Sequence, residues 1–340
     1  MYQIKQLPED FAVKEISGIN KKIQNNGQYS YYLLKKTSFT TIDALQILSN
    51  KFKIQLKYFG FAGNKDKNAV TEQKISIFRG SKNFENNEFK NIELKYLGNG
   101  KEPISLGDLE GNEFVITIRN LDHKAIDKIK KLQNNKINIQ NLYGPQRFSS
   151  NNHLVGKAII KRDFKEAVEL VLENNGTAEQ KIREHLKNSK NNYIEALRLI
   201  SLKTRKLFVH SYQSFLFNKI ILQYAKNSKN TKNHKVIFDG IKIPIIGFGF
   251  SLNSIKNKSL KNIFKKIIEE EKLNPRDFIT SQMPELTSEG SFRDLFFELK
   301  DLKILEIDKD ELNGNKLKIK INFSLPKSCY ATVALEFLFQ

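Results

Sequence analysis

The hydrophobic pattern of this 340-residue chain changes twice, and these two changes limit the possible fold more than any other feature. Up to about residue 150, short alternating apolar runs and a few helical stretches follow one another, as in an α+β domain. A mainly helical segment comes next. From Leu302 the pattern of strands returns, with candidate strands at 302–307 and 317–323. The sequence therefore predicts an α+β domain that is interrupted by a mainly helical insertion.

A chain of this length accommodates two domains of ordinary size, and 39% hydrophobic residues suffice for packed cores. We place the outer domain at residues 1–152 and 291–340 and the inserted domain at residues 153–290. The predicted elements of the outer domain are helices at 40–50, 125–132 and 328–338 and further strands at 54–62, 74–78, 92–96 and 113–118. Those of the insert are helices at 163–173, 194–202, 213–224 and 259–271, an exposed loop at 226–234 and a strand at 236–246. Thr40 with Asp43, and Ser328, are the predicted helix caps.

The formal net charge of +20 limits the class of partner. Such a charge favours a polyanion, either nucleic acid or an anionic membrane surface, although a biased genome also produces Lys- and Asn-rich proteins. The N-terminus lacks the apolar run of a signal peptide, and no segment approaches the ~18 apolar residues of a spanning helix. The single cysteine, Cys329, excludes an internal disulfide and a cysteine-rich zinc site. We therefore expect a cytoplasmic protein without a membrane-spanning helix, and its charge leaves nucleic acid and an anionic membrane surface as the two candidate partners.

One acidic residue, Asp66, stands between Lys65 and Lys67 just after a glycine. An apolar run ends at Ala62 and an alternating run begins at Lys74, so the pattern places Asp66 on a loop between two strands. Positive neighbours favour the ionised carboxylate, which can serve as a nucleophile or a base. The ordinary alternative is a solvated turn former.

The segment around Asp66, G-N-K-D-K-N-A-V-T-E-Q, resembles the active-site motif of the TruD family of tRNA pseudouridine synthases. Further segments match motifs of that family in the same order: K-Q-L-P-E-D-F at 5–11, G-D-L-E-G-N-E-F at 107–114, N-L-Y-G-P-Q-R-F at 141–148, Q-S-F-L-F-N at 213–218 and L-P-K-S-C-Y-A-T at 325–332. The resemblance therefore spans almost the whole chain. It implies a pseudouridine synthase catalytic domain with a mixed sheet and an inserted TRUD-type domain.

The resemblance also implies a reaction. Bacterial members of the family convert the uridine at position 13 of tRNA to pseudouridine, by breaking a C–N glycosidic bond and forming a C–C bond. This isomerisation involves no net redox change, so no redox cofactor is required. We expect no other cofactor and no metal. Asp66 would attack covalently or act as a base. The implied partner is tRNA, and we expect a monomer without an obligate protein partner.

Four more residues match family positions in the active site. Lys5 is expected beside Asp66, and Asn141 is expected to orient Asp66 or to bind the nucleotide. Phe11 and Tyr143 are expected to hold the extruded uracil. Tyr143 stands where the family commonly has Phe, so its hydroxyl can also relay a proton. The alternatives are core packing for the two rings, a turn position for Asn141 and a mobile terminal lysine for Lys5.

Lys65, Lys67 and Arg147 are the candidates for contact with RNA. Solvated turn charges, or for Arg147 a structural ion pair, are the alternatives. The Pro-Gly segment of the family has no clear counterpart around residues 284–286, which leaves the local shape there open.

Four other functions compete with this interpretation. A non-catalytic basic RNA-binding protein would need the charge but not Asp66, and a pseudouridine synthase could act on another RNA. A uridine methyltransferase with Cys329 as nucleophile would need a glycine-rich nucleotide motif after a strand, which is not found. A metalloenzyme is disfavoured because the five histidines form no ligand-spaced pair.

Overall fold

The computed structural model describes residues 2–24, 26–133, 135–227 and 241–339. The strands within these ranges are β1 (Phe11–Ile16), β2 (Tyr29–Thr37), β3 (Phe59–Phe61), β4 (Val70–Phe78), β5 (Ile92–Gly100), β6 (Gly111–Leu121), β7 (Ile137–Gln140), β8 (Lys242–Ile245), β9 (Ser291–Asp294), β10 (Phe296–Lys309) and β11 (Leu317–Pro326). The α-helices are α1 (Thr41–Phe52), α2 (His123–Leu132), α3 (Asn152–Ile160), α4 (Phe164–Leu172), α5 (Thr177–Asn188), α6 (Tyr193–Arg198), α7 (Leu202–Asn227), α8 (Lys258–Glu270) and α9 (Ala331–Phe339).

The chain forms two compact units. The first consists of Met1–Ile139 and Phe297–Gln340, and the second of Gln140–Phe296. The large sheet has the strand order β5-β2-β4-β1-β6-β11-β10-β7, with β3 paired to β4 beside this path. It is mixed, because β1 pairs parallel with β4 and antiparallel with β6. The predicted α+β fold with a helical insertion is confirmed, whereas the predicted domain boundaries remain predictions.

The core of the first unit forms where the sheet meets its helices. Helix α1 buries Ala44, Leu45 and Leu48 against apolar side chains of β2 and β4. Its predicted cap is confirmed: the Thr40 hydroxyl accepts from the Asp43 N–H, and the Asp43 carboxylate accepts from the Thr40 N–H. This box satisfies two backbone donors that the first turn leaves without helical partners.

The second unit is mainly helical and is built around α7. Eleven of the 26 residues of α7 are buried, which requires neighbours on more than one side. Helix α3 packs closely enough that a Cβ at Gly156 would stand 2.0 Å from the carbonyl oxygen of Phe208. Glycine at position 156 therefore permits the close approach of these two helices. Strands β8 and β9 form a separate antiparallel pair in this unit.

Several local predictions were wrong. The expected strand at 54–62 begins with a short 3₁₀ turn at Leu56–Tyr58, so only β3 is extended. Ser328 does not cap the last helix, because α9 begins three residues later and Ser328 has a left-handed φ of 66°. The helix expected at 194–202 ends at Arg198, and α7 begins at Leu202. Residues 228–240 lie outside the described residues, and they include most of the predicted loop at 226–234 and the first part of the predicted strand at 236–246. The second part of that strand is confirmed by β8, whereas residues 226 and 227 belong to α7 rather than to a loop.

A buried arginine fixes the N-terminal segment to the sheet. On β6, Arg119 donates to Asp10 through Nε (2.9 Å to Oδ2) and Nη2 (2.9 Å to Oδ1). Its Nη1 lies 3.0 Å from Oδ1 of Asp310, which follows β10. All three side chains are at most 4% exposed. Gln3 pairs with Arg119 through the backbone in both directions, so residues 3–10 are held along β6.

Asp310 takes part in this network as an ionised carboxylate. Burial alone would raise the pKa of Asp310, but hydrogen bonds from the Asn120 N–H, the Asn313 side chain, the Leu312 N–H and Arg119 lower it below its usual value. A lowered pKa means that the ionised carboxyl stabilises the folded state near neutral pH. This stabilisation is lost as the pH falls through the lowered value.

We expect Arg119→Met to lower the free energy of unfolding by about 3–5 kcal/mol, because it leaves two buried carboxylates without a cation. Urea unfolding followed by circular dichroism at neutral pH measures the loss. Arg276→Met is the control: Arg276 is exposed, and its substitution should change stability by less than about 0.5 kcal/mol. Equal effects of the two substitutions would contradict a stabilising role for the Arg119 network.

Candidate active site

Asp66 lies on the loop of residues 62–69 between β3 and β4, which we call the Asp66 loop. The predicted position between two strands is therefore confirmed. A chain of buried hydrogen bonds fixes the loop: the Lys65 N–H donates to the Thr41 hydroxyl (2.9 Å), and this hydroxyl donates to Oε1 of Gln73 (2.8 Å). Gln73 Nε2 in turn donates to the carbonyl of Gly63 (3.2 Å). The loop is thereby attached to both α1 and β4.

The carboxylate of Asp66 is exposed to solvent and forms an ion pair with Lys5. Its side chain is 45% exposed, and Oδ2 lies 2.5 Å from Nζ of Lys5. Lys5 has a left-handed φ of 59°, in the segment held by Arg119. The structure thus brings together the two residues that were expected to be neighbours.

Phe11 lies under this ion pair. Its ring is 3% exposed, packs edge-on against Phe114 at 6.1 Å, and has Nζ of Lys5 at 4.1 Å from its centroid. A base could stack on this ring only after Lys5 had moved. The expected role of Phe11 in holding uracil therefore stays a prediction, and its visible contact is a cation–π interaction with Lys5.

The two lysines that flank Asp66 differ in their surroundings. Lys65 is buried, and its Nζ lies 2.9 Å from Oε2 of Glu15, whose side chain is fully buried. Lys67 is exposed. The position of Lys65 speaks against the predicted contact with RNA, because its ammonium group faces the interior and is already paired.

Lys36, which the sequence analysis missed, also reaches the Asp66 loop. It is 1% exposed, and its Nζ donates to the carbonyl oxygens of Phe39 (2.6 Å) and Asp66 (3.1 Å). Burial lowers the pKa of Lys36 to about 8, and the negative charge of Asp66 opposes this shift. The alternation of side chains along β2 could have predicted the burial of Lys36, because it places Lys36 on the same face of the strand as Leu34 and Tyr32.

Asn141 belongs to the second unit and is fixed by an arginine that the sequence analysis also missed. Arg293 on β9 donates through Nη2 to Oδ1 of Asn141 (2.6 Å) and through Nε to its carbonyl oxygen (3.1 Å). The Asn141 N–H donates to the carbonyl of Leu295 (2.9 Å). These bonds fix the amide of this buried asparagine with its oxygen toward Arg293.

Tyr143 follows on the same segment and is held at both backbone groups. Its N–H donates to Oδ1 of Asn218 (2.8 Å), and Nδ2 of Asn218 donates to its carbonyl (2.9 Å). The guanidinium carbon of Arg293 lies 4.1 Å from the ring centroid, and Phe217 meets the ring edge-on at 5.5 Å. Asn218 ends the motif Q-S-F-L-F-N, so that segment supports the one around Tyr143.

Arg147 also forms hydrogen bonds with side chains of α7. Its Nε donates to the Ser214 hydroxyl (3.3 Å), and its carbonyl accepts from the Ser211 hydroxyl (2.7 Å). The first unit thus contains Lys5, Phe11 and Asp66, and the second unit contains Asn141, Tyr143 and Arg147. The expectation that Asn141 orients Asp66 stays a prediction.

Within the described residues, no helix is long and apolar enough to cross a membrane. In the same part of the chain, no cluster of three or more His, Cys, Asp or Glu side chains is arranged to hold a metal ion.

Comparisons with known proteins agree with the motifs over the whole chain. A family model described as "tRNA pseudouridine synthase D (TruD)" matches residues 2–184, 171–237 and 224–337. The tRNA pseudouridine synthase D of Aquifex aeolicus is 30% identical, over 99% of this chain and 98% of that protein. A protein of Methanocaldococcus jannaschii named "Probable tRNA pseudouridine synthase D 2" is also 30% identical, over 98% of this chain and 90% of its own. A crystal structure titled as the TruD protein of Methanosarcina mazei superposes with a TM-score of 0.75 at 26% identity, covering 99% of this chain and 93% of that one.

The contrast between Lys65 and Lys67 yields a matched pair of substitutions. We expect Lys65→Met to lower the free energy of unfolding by about 3–5 kcal/mol, because it leaves Glu15 buried without its cation. Lys67→Met removes an exposed charge two residues away and should change stability by less than about 0.5 kcal/mol. Urea unfolding of both variants measures the difference. A Lys65→Met protein as stable as wild type would show that this pair does not hold the loop.

Proposed function

The chain belongs to the tRNA pseudouridine synthase D (TruD) family, and on this premise we propose that it isomerises a uridine of tRNA, at position 13, to pseudouridine with Asp66 as the catalytic carboxylate. The observation that carries the proposal is the geometry of Asp66. Its carboxylate is exposed and lies 2.5 Å from the Lys5 ammonium, while buried hydrogen bonds fix its loop. A reacting group needs this combination of access and fixed orientation.

The reaction requires little beyond a positioned carboxylate and an extruded base. The C1′–N1 bond of the uridine breaks, the uracil turns, and C1′ bonds to C5. C5 then loses its proton to solvent and N1 takes up a proton, so that the product is an isomer of the substrate. Asp66 assists either by attacking the nucleotide covalently or by removing a proton from it; both routes use the ionised carboxylate. Nζ of Lys5 donates to this carboxylate. No redox cofactor is needed in either route, because no net oxidation or reduction occurs.

The second unit contributes groups for the nucleotide in this proposal. Oδ1 of Asn141 accepts a hydrogen bond from Arg293, so the amide NH₂ of Asn141 is the group that we propose as a donor to the substrate. Tyr143 offers a ring for stacking and a hydroxyl for a proton or hydrogen bond. We further propose that residues 153–290 form the inserted TRUD-type domain and that the enzyme works on tRNA in the cytoplasm. Lys67 and Arg147 are the proposed contacts to RNA phosphates.

Asp66→Asn is the direct test of the catalytic assignment. The substitution keeps the size of the side chain but removes the anion, so release of the C5 hydrogen from labelled tRNA should fall below detection. Binding of tRNA should persist or tighten slightly, because a negative charge facing phosphates is gone.

Glu72→Gln is the matched control. Glu72 lies on β4 between Lys14 and Lys35 of the neighbouring strands, so it is a cross-strand partner rather than a loop residue. Its substitution should leave measurable activity. If the Asp66→Asn enzyme is active and the Glu72→Gln enzyme is inactive, the assignment of Asp66 as the catalytic carboxylate is wrong. If the wild-type protein releases no C5 hydrogen from any cellular tRNA, the proposed reaction is wrong.

Binding of tRNA should depend steeply on salt because the net charge is +20. Each phosphate neutralised on a duplex region contributes about −0.9 to the slope of log Kobs against log salt. Lys67→Gln should reduce the magnitude of this slope by about 1 and weaken binding to all tRNAs alike. Filter binding or fluorescence anisotropy between about 50 and about 200 mM KCl measures the salt slope and the affinity. Affinity that is nearly independent of salt would contradict phosphate-dominated binding.

A further inference from the structure

Lys36 is a buried cation that the reaction described above does not use. Its Nζ donates to two main-chain carbonyl oxygens, 2.6 Å from Phe39 and 3.1 Å from Asp66. Only 1% of the residue is exposed. Both acceptors are neutral carbonyl groups, so these bonds do not neutralise the ammonium charge as a carboxylate would. An ammonium in such a place is costly to the fold and requires an explanation.

Stability does not supply this explanation. Burial lowers the pKa of Lys36 to about 8, which means that the surroundings disfavour the charged form relative to water. A methionine has a similar length and would fill the space without a buried charge. Buried ionisable groups with strongly shifted pKa values cluster at functional sites.

We propose that Lys36 is a positioning residue, which holds the main chain of Asp66 so that its carboxylate is presented to the nucleotide in one orientation. This inference rests on the proposed function, since it concerns how Asp66 is presented. Asp66 is held at two points: Lys5 binds its carboxylate, and Lys36 binds its carbonyl oxygen. A residue fixed at both ends cannot swing with the loop, and misplacement of a reacting group by ~1 Å can cost about 10²-fold in rate.

The charges around Lys36 fit this role. Asp66 and, from α1, Asp43 favour its protonated form, whereas the neighbouring Lys65 disfavours it. Lys65 is turned away into its own ion pair with Glu15. Protonated Lys36 donates to the loop through a charged group, and charged donors make stronger hydrogen bonds than neutral ones. The hold on Asp66 should therefore weaken when Lys36 loses its proton.

Lys36→Met tests the inference with Lys35→Met as its control. Lys35 is the adjacent residue of β2, is more exposed, and pairs with Glu93 at 3.1 Å. We expect Lys36→Met to lower kcat between about 10- and 100-fold with KM for tRNA within about twofold. Its thermal unfolding midpoint should equal or exceed that of wild type. Lys35→Met should match wild type in kcat and KM. A Lys36→Met enzyme with wild-type kcat, or one whose kcat falls only as its stability falls, would overturn the inference.

The pH profile of kcat supplies a readout that a purely structural role would not change. Wild-type kcat should decline above a pH of about 8, where Lys36 loses its proton. Lys36→Met should lack this decline because the titrating group is gone. Lys36→Arg should retain more activity than Lys36→Met and shift the decline to higher pH, since a guanidinium stays protonated. An unchanged decline near pH 8 in Lys36→Met would overturn the inference.

Failure of the proposed function can be told apart from failure of this inference. If wild type is inactive on every tRNA, the proposed function fails, and amide hydrogen exchange then tests Lys36 directly. Lys36→Met should accelerate exchange of the amides of residues 62–69, while the amides of α1 keep their wild-type rates. Unchanged exchange in the Asp66 loop would show that Lys36 does not hold it.

Discussion

The parallel pairing of β1 with β4 is the constraint on which the Asp66 site depends. Ala12 pairs with Val70 and Lys14 with Glu72, so both strands begin at the same end of the sheet. The segments that precede them must therefore emerge side by side. One segment carries Lys5 and the other carries Asp66, although the two residues are separated by 61 positions. An antiparallel pairing would have placed their starts at opposite ends.

This arrangement is maintained by charges buried in the first unit. Arg119 lies between Asp10 and Asp310, Lys65 is paired with Glu15, and Lys36 donates to the Asp66 loop. Buried ion pairs rarely add much stability over apolar residues of similar size, but they are strongly directional and costly to break. An apolar core tolerates small shifts, whereas a buried charge allows few alternative positions for its partner. The charges therefore fix the position of two chain segments that have little regular structure of their own.

Local patterns predicted several elements of the structure but not the Ser328 cap, and the one distant contact that was expected, between Lys5 and Asp66, came from the family resemblance. The position of Asp66 between strands and the cap formed by Thr40 depend on residues a few positions apart, and both were predicted. The burial of Lys65 depends on Glu15, 50 residues away, and the fixing of Asn141 depends on Arg293, 152 residues away. A lysine beside a turn acid looks solvated until the strand that carries its partner is placed. Distant pairings of this kind follow from topology, which a single sequence specifies only through its folding.

The two units share one way of presenting a polar group. In the first, the Lys5 ammonium lies 4.1 Å from the ring of Phe11 and binds Asp66. In the second, the Arg293 guanidinium lies 4.1 Å from the ring of Tyr143 and binds Asn141. An aromatic face attracts a cation without neutralising it. A carboxylate in place of the ring would hold the cation more strongly but would compete with Asp66 for it. Each ring thus has a contact in the structure that does not require stacking on a base, because it packs against the basic side chain that binds the neighbouring polar group.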